Sequence, residues 1–100
     1  MSIEKKTGKI YINPSLRMAI HDFKHNGYDT VISGFMVLEG DIAKTLKNLR
    51  KVGVKIPESY DRGDTNIVTF HDTPISVIVR AIKISGLVRI ELSQKLHFET

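Results

Sequence analysis

Val31-Ile32-Ser33-Gly34-Phe35-Met36-Val37-Leu38, followed by Gly40-Asp41 and then by Ile42 to Lys51, decides the fold. The first run is β-branched, aromatic and almost unbroken in its apolar character, which reads as a buried strand. Gly34 inside it marks a bulge or a close backbone approach. Asp41 is placed to cap a helix over 41–52, and Ile42, Leu46 and Leu49, with Ala43 beside them, form its apolar stripe. Gly53 closes that helix, and Val54-Lys55-Ile56 reads as a short strand ended by Pro57.

The same order recurs downstream. Ile67-Val68-Thr69-Phe70 reads as a strand, and Asp72-Thr73-Pro74 as a helix start with Asp72 as the capping side chain. Apolar residues from Ile75 to Ile84 cover much of the next helix's circumference, which predicts the most buried helix of the protein. Gly86 ends it, and Leu87-Val88-Arg89-Ile90-Glu91-Leu92 alternates with period two. The polar stretch 58–66 separates the two units, and the Arg62-Gly63-Asp64 tripeptide at its centre reads as a tight turn.

Upstream, Lys9-Ile10-Tyr11-Ile12 is a short β-type run. Asn13-Pro14 starts a helix, Leu16, Ala19, Ile20 and Phe23 recur at helical spacing, and Gly27 stops it. The expected architecture is α+β. A βα segment is followed by a β-α-β-β-α-β unit, in an open, mainly antiparallel sheet with helices on one face, ferredoxin-like or related. The chain has 100 residues, enough for one domain over 1–100. Residues 1–8 and 93–100 read as flexible ends. Strand 87–92 is expected at a sheet edge, where it can pair with a partner strand, including one from a second copy.

Composition narrows the function. Hydrophobic residues are 41% and charged residues 26%, as in ordinary globular domains, which excludes a disordered or collagen-like chain. The chain has no cysteine, which excludes disulfides, thiolate metal sites and a cysteine nucleophile. Met1 to Lys9 carries charge without the apolar run of a secretory signal, and no stretch approaches the ~20 apolar residues of a membrane span. The expected location is the cytoplasm, with no membrane partner. The net charge is +4. All of this surplus lies in residues 1–58, which hold 10 basic and 6 acidic side chains, whereas residues 59–100 hold 5 of each.

Few residues form a chemical constellation. His21 and His25 stand at i and i+4 on a predicted helix, a spacing that lets two imidazoles face one ion, but no third ligand accompanies them. No nucleophile elbow and no Gly-rich phosphate loop is present, and Asp41 and Asp72 read as caps rather than acid–base groups. The expectation is therefore a protein that is not an enzyme, with no catalytic residues, no cofactor and no bound metal. The densest feature is basic: Lys44, Lys47, Arg50, Lys51 and Lys55 fall within twelve residues, and no acid occurs over 42–57. Lys44, Lys47 and Lys51 share one helical stripe, a candidate contact for phosphates or for an acidic partner.

Two family resemblances cover parts of the chain. Ile10-Tyr11-Ile12-Asn13 with Leu16, and Ser33 to Leu38, resemble the two RNA-contacting strand motifs of RNA-recognition-motif domains. That resemblance implies base stacking on Tyr11 and Phe35. The chain departs from the family by leaving only about twenty residues between the motifs and by lacking the second motif's other aromatic. Gly40 to Leu92, through Asp41–Ile56 and Thr73–Leu92, resembles the small N-terminal domains of secretin channels, which pack into rings. The leading functional expectation is a small interaction module, a regulator, inhibitor or assembly subunit, that binds a protein partner. The alternative is a basic nucleic-acid-binding regulator using the stripe of helix 41–52, aided by Lys5, Lys6 and Lys9.

Overall fold

The computed structural model describes residues 10–93. The reading of the two ends as flexible, and Lys5, Lys6 and Lys9 of the nucleic-acid reading, fall outside them, except that Ser93 donates its amide to the Ser33 carbonyl at 3.2 Å. The fold is α+β, a four-stranded mixed open sheet with three helices, compatible with a ferredoxin-like or related arrangement. In chain order the elements are β1 (Tyr11–Ile12), α1 (Pro14–Asn26), β2 (Val31–Leu38), α2 (Ile42–Lys51), a 3-10 helix (Glu58–Arg62), β3 (Ile67–Pro74), α3 (Ile75–Ala81) and β4 (Leu87–Leu92).

The sheet order is β1-β4-β2-β3. β2 runs antiparallel to both β3 and β4, so β3-α3-β4 is a parallel βαβ unit split by β2. The first βα segment joins the same sheet: β1 lies parallel to β4, with Tyr11 opposite Arg89 and Ile12 opposite Ile90. β4 is therefore an interior strand, not the edge expected from its alternation. The edges are the two-residue β1 and the eight-residue β3.

Alternation along β2 decides which face is core. Ile32, Gly34, Met36 and Leu38 are buried, while Val31 is exposed and Ser33, Phe35 and Val37 are half-buried. The buried set joins Val68, Phe70 and Ile90 from the other strands. Leu16, Ala19 and Ile20 of α1, Leu46 and Leu49 of α2, and Ile75, Ile78 and Ala81 of α3 complete one core. All three helices thus cover the same face of the sheet. α3 is the most buried of them, with Arg80 its one exposed residue.

Local signals explain most boundaries. Asn13 caps α1, its Oδ1 accepting the amides of Ser15 at 2.8 Å and Leu16 at 3.3 Å, and Gly27 at φ 77° ends the helix in the left-handed conformation. Asp41 caps α2 by accepting the Lys44 amide at 3.1 Å. Gly34 marks the close backbone approach expected of it, while the bulge beside it takes its extra residue from β3. The β2/β3 register shifts between Ile32 and Gly34, and a Cβ at Gly34 would stand 2.0 Å from the Glu91 carbonyl oxygen.

Two expectations are corrected. Residues 54–56 form no strand. They run beside the outer edge of β3, tied by one backbone bond from His71 N to the Lys55 carbonyl (3.1 Å) and by the Lys55 amide to Thr73 Oγ1 (3.3 Å). Arg50 holds this segment in place by donating to the carbonyls of Ile56 and Pro57, which removes it from a regular ladder. Asp72 does not cap α3. A bulge at His71-Asp72, with Asp72 at φ 46°, lets β3 continue to Pro74. The cap comes from the α1–β2 loop: the Asp29 carboxylate accepts the Ser76 amide at 2.8 Å and the Ser76 hydroxyl at 2.7 Å, and the Thr30 carbonyl accepts the Ile75 amide. The Ser76 hydroxyl and then the Ser76 amide hold the Asp29 carboxyl below its ordinary value.

Candidate functional site

The face of the sheet that the helices leave bare carries two rows of side chains. Pairing across the ladders aligns Tyr11, Arg89, Val37 and Ile67, one from each strand, in the first row. Two residues away along the strands, Glu91, Phe35 and Thr69 align in the second. Tyr11, Val31 and Ile67 on this face are among the large hydrophobic residues that remain exposed. An apolar strip on the uncovered side of a two-layer fold is the kind of surface that marks an interaction site.

The charged residues of this face neutralise each other. Arg89 donates from Nε to Glu91 Oε2 at 2.8 Å, and its Nη2 lies 2.8 Å from the same oxygen. Glu91 Oε1 accepts from Asn13 Nδ2 at 3.1 Å, so the residue that caps α1 also positions this carboxylate. The Arg89 guanidinium sits 4.3 Å above the Tyr11 ring. A chain of contacts from Asn13 through Glu91 and Arg89 to Tyr11 therefore fixes one flank of the face, where β1 meets β4.

The residues singled out from the sequence divide between two surfaces. Tyr11 and Phe35 stand on the same bare face, but β4 lies between them and Arg89 already covers the Tyr11 ring. Lys44, Lys47 and Lys51 are exposed on α2, whose Leu46 and Leu49 point into the core on the other side of the sheet. The lysine stripe and the aromatic pair therefore do not form one surface. Arg50 is committed elsewhere: besides the two carbonyls, its Nη1 pairs with Asp61 across to the 3-10 helix. Lys55 is exposed on the segment beside β3.

The remaining candidates stay apart. The His21 and His25 rings lie 4.1 Å apart on exposed α1 positions. No group of three or more potential ligands for a metal occurs among the described residues. Arg62-Gly63-Asp64 is a turn: Gly63 at φ 71° ends the 3-10 helix and donates its amide to the Tyr60 carbonyl. A cleft of ≈ 340 Å³ between the start of α2 and the α3–β4 turn is lined by Asp41, Lys44, Asn48 and Ser85 among others. Its Asp41 is already occupied with capping. Among the described residues no helix is long and apolar enough to cross a membrane.

What sequence reading missed is the pairing of Arg89 with Glu91 and the row that sets Val37 beside Ile67. The period-two alternation of 87–92 contained the signal, since it places Arg89 and Glu91 on one face. The order of strands that brings them against β2 did not follow from it. Comparison with protein-family models, with curated proteins and with solved structures finds no significant match to this chain.

Proposed function

We propose that this protein is a non-enzymatic interaction module, a regulator, inhibitor or assembly subunit, that holds a protein partner on the bare face of its sheet. The observation that carries this reading is the apolar strip of Phe35, Val37 and Ile67 on a face that no helix of the described residues covers and whose nearest charges, Arg89 and Glu91, cancel. Such a face gains from burial against apolar protein surface and offers little to a polyanion. Differential capture tests it, with three baits: wild type, Val37→Glu, and the triple variant of Lys44, Lys47 and Lys51 to alanine. The proposal expects a partner that wild type and the lysine variant retain and that Val37→Glu loses. A partner lost by the lysine variant and retained by Val37→Glu would overturn it.

A second reading has its own observation. Lys44, Lys47 and Lys51 are exposed, and none makes a side-chain hydrogen bond or ion pair among the described residues. This stripe is the contact surface of a nucleic-acid-binding regulator in that reading. It requires binding to single-stranded RNA or duplex DNA that falls with salt, with a slope reduced by roughly one unit for each lysine removed. Binding that is absent at low salt, or unchanged in the triple variant, removes it.

A further inference from the structure

We infer that the occupant of the bare sheet face is a second copy of this chain, packed sheet to sheet about a two-fold axis that lies between the sheets and runs across the strands. This rests on the reading of that face as a protein-docking surface.

The register carries the inference. Val37 and Arg89 are opposite each other in one row, and Phe35 and Glu91 in the other, so both rows are two residues apart on β2 and on β4 alike. Ile67 and Thr69 extend the same two rows onto β3. A two-fold axis midway between the rows lays each strand over its own copy in the reverse direction and exchanges the rows. Arg89 then meets Glu91 of the partner subunit, Val37 meets the partner subunit's Phe35, and Ile67 meets the partner's Thr69. These three exchanges are complementary: opposite charges, apolar on apolar, and an isoleucine against a threonine methyl. An isologous interface demands this self-complementarity, and at Thr69 it leaves the methyl free for the partner while the hydroxyl stays 3.4 Å from Tyr60 Oη. The Arg89 side chain is 47% exposed, and its Nη1 has no partner among the described residues, so it can bond across the interface while Nε and Nη2 stay on Glu91.

Size sets the strength. The strands hold 2, 8, 8 and 6 residues, so at about 3.3 Å per residue and about 4.8 Å between strands the footprint is roughly 380 Å² per copy, in the range of weak, transient contacts. The expected dimer is weak and reversible, populated toward the upper end of the micromolar range.

Charge-swapped variants of the full chain test this by sedimentation over about 1 µM to 1 mM. Wild type is expected to pass from monomer to dimer. Arg89→Glu alone sets four carboxylates together, and Glu91→Arg alone sets four guanidinium groups together. Each is expected to weaken the dimer at least about tenfold. A mixture of the two restores opposite charges at both crossings, so it is expected to form the heterodimer at near wild-type affinity, as is the double variant Arg89→Glu/Glu91→Arg as a homodimer. Rescue by mixing requires both variants to be folded. If Glu91→Arg fails to melt cooperatively, having lost its contact with Asn13, the double variant shares that loss, and Arg89→Glu and Val37→Glu carry the test.

Three results would overturn the inference. They are a wild type that stays monomeric to 1 mM, a dimer insensitive to Arg89→Glu and Val37→Glu, and a loss in the single variants that neither mixing nor the double variant restores. A monomeric wild type that still captures a partner through Val37 leaves the docking surface standing and removes only the second copy. A monomer whose Val37→Glu variant also captures as wild type removes both. Cover of the face by this chain's own residues 94–100 would appear as the monomeric outcome.

Discussion

Asp29 caps a helix that begins 46 residues after it: its carboxylate accepts both the amide and the hydroxyl of Ser76, at 2.8 and 2.7 Å. These bonds favour the ionised form and hold the carboxyl below its ordinary value of 3.8. Because the folded value is the lower one, the contribution to stability is complete above about pH 4 to 5 and is lost as pH falls through the folded value. Thermal melts from pH 7 to pH 2.5 check this. Asp29→Ala is expected to melt lower than wild type at pH 7, with the gap closing below pH 4. Asp29→Asn keeps an acceptor for the Ser76 amide and is expected to lie between the two, without that part of the pH dependence. A gap that is constant down to pH 2.5 would contradict the assignment.

At Gly34 the backbones of β2 and β4 leave no room for a side chain. A Cβ there would stand 2.0 Å from the Glu91 carbonyl oxygen and 2.9 Å from Leu92 Cα, both backbone atoms without freedom to move aside. Gly34→Ala is expected to cost about 3 kcal/mol or to prevent folding, at the upper end for overpacking. A urea midpoint near that of wild type would show that the strands separate easily, and would undermine the cross-strand rows as well.

Arg50 is better understood as a clasp than as a phosphate contact. Its guanidinium reaches the Ile56 and Pro57 carbonyls and Asp61, and so fixes the chain that runs beside β3. Arg50→Ala is expected to lose about 1.5 kcal/mol, the lower end of the range for charged hydrogen bonds because both side chains of the ion pair are partly exposed. Arg50→Lys is expected to restore little of it, since an ammonium cannot match the fork geometry. Recovery of full stability in the lysine variant would contradict the clasp.

The strands and helices were legible where local chemistry alone sets them. Asn13 and Asp41 cap as their positions suggest, and the apolar run 31–38 is the central strand. The errors arose where tertiary contacts override a local signal. Val54-Lys55-Ile56 has a strand's composition, but Arg50 and a single ladder bond to His71 leave it beside the sheet rather than in it. Asp72-Thr73-Pro74 has a helix cap's composition, but the bulge carries it into β3 and the cap arrives from Asp29. The candidate residues Tyr11 and Phe35 do share a face. Their separation by β4, and the placing of the lysines behind the opposite face, depend on strand order, which no local pattern encodes.

Asp72 holds a left-handed conformation, φ 46°, at the β3 bulge. Asp72→Gly is expected to be neutral or stabilising by up to about 1 kcal/mol, because glycine adopts that conformation without the Cβ clash. Asp72→Val is expected to lose more than about 1 kcal/mol, as a β-branched residue fits that region worst. Chemical denaturation of the three proteins checks the order. A valine variant as stable as the glycine variant would mean that the bulge relaxes freely.

The most direct test of the sheet face as a docking surface uses the absence of native cysteine. Thr69→Cys places one thiol on the bare face, and Lys47→Cys places one on the exposed side of α2. Labelling by a small maleimide is followed in the cell that makes the protein, with the dilute purified folded protein as the reference, because Tyr60 Oη already lies 3.4 Å from Thr69 Oγ1. The account requires slow labelling at position 69 and fast labelling at position 47. Equal and fast labelling at both positions would show a sheet face open to solvent, and would contradict the proposal.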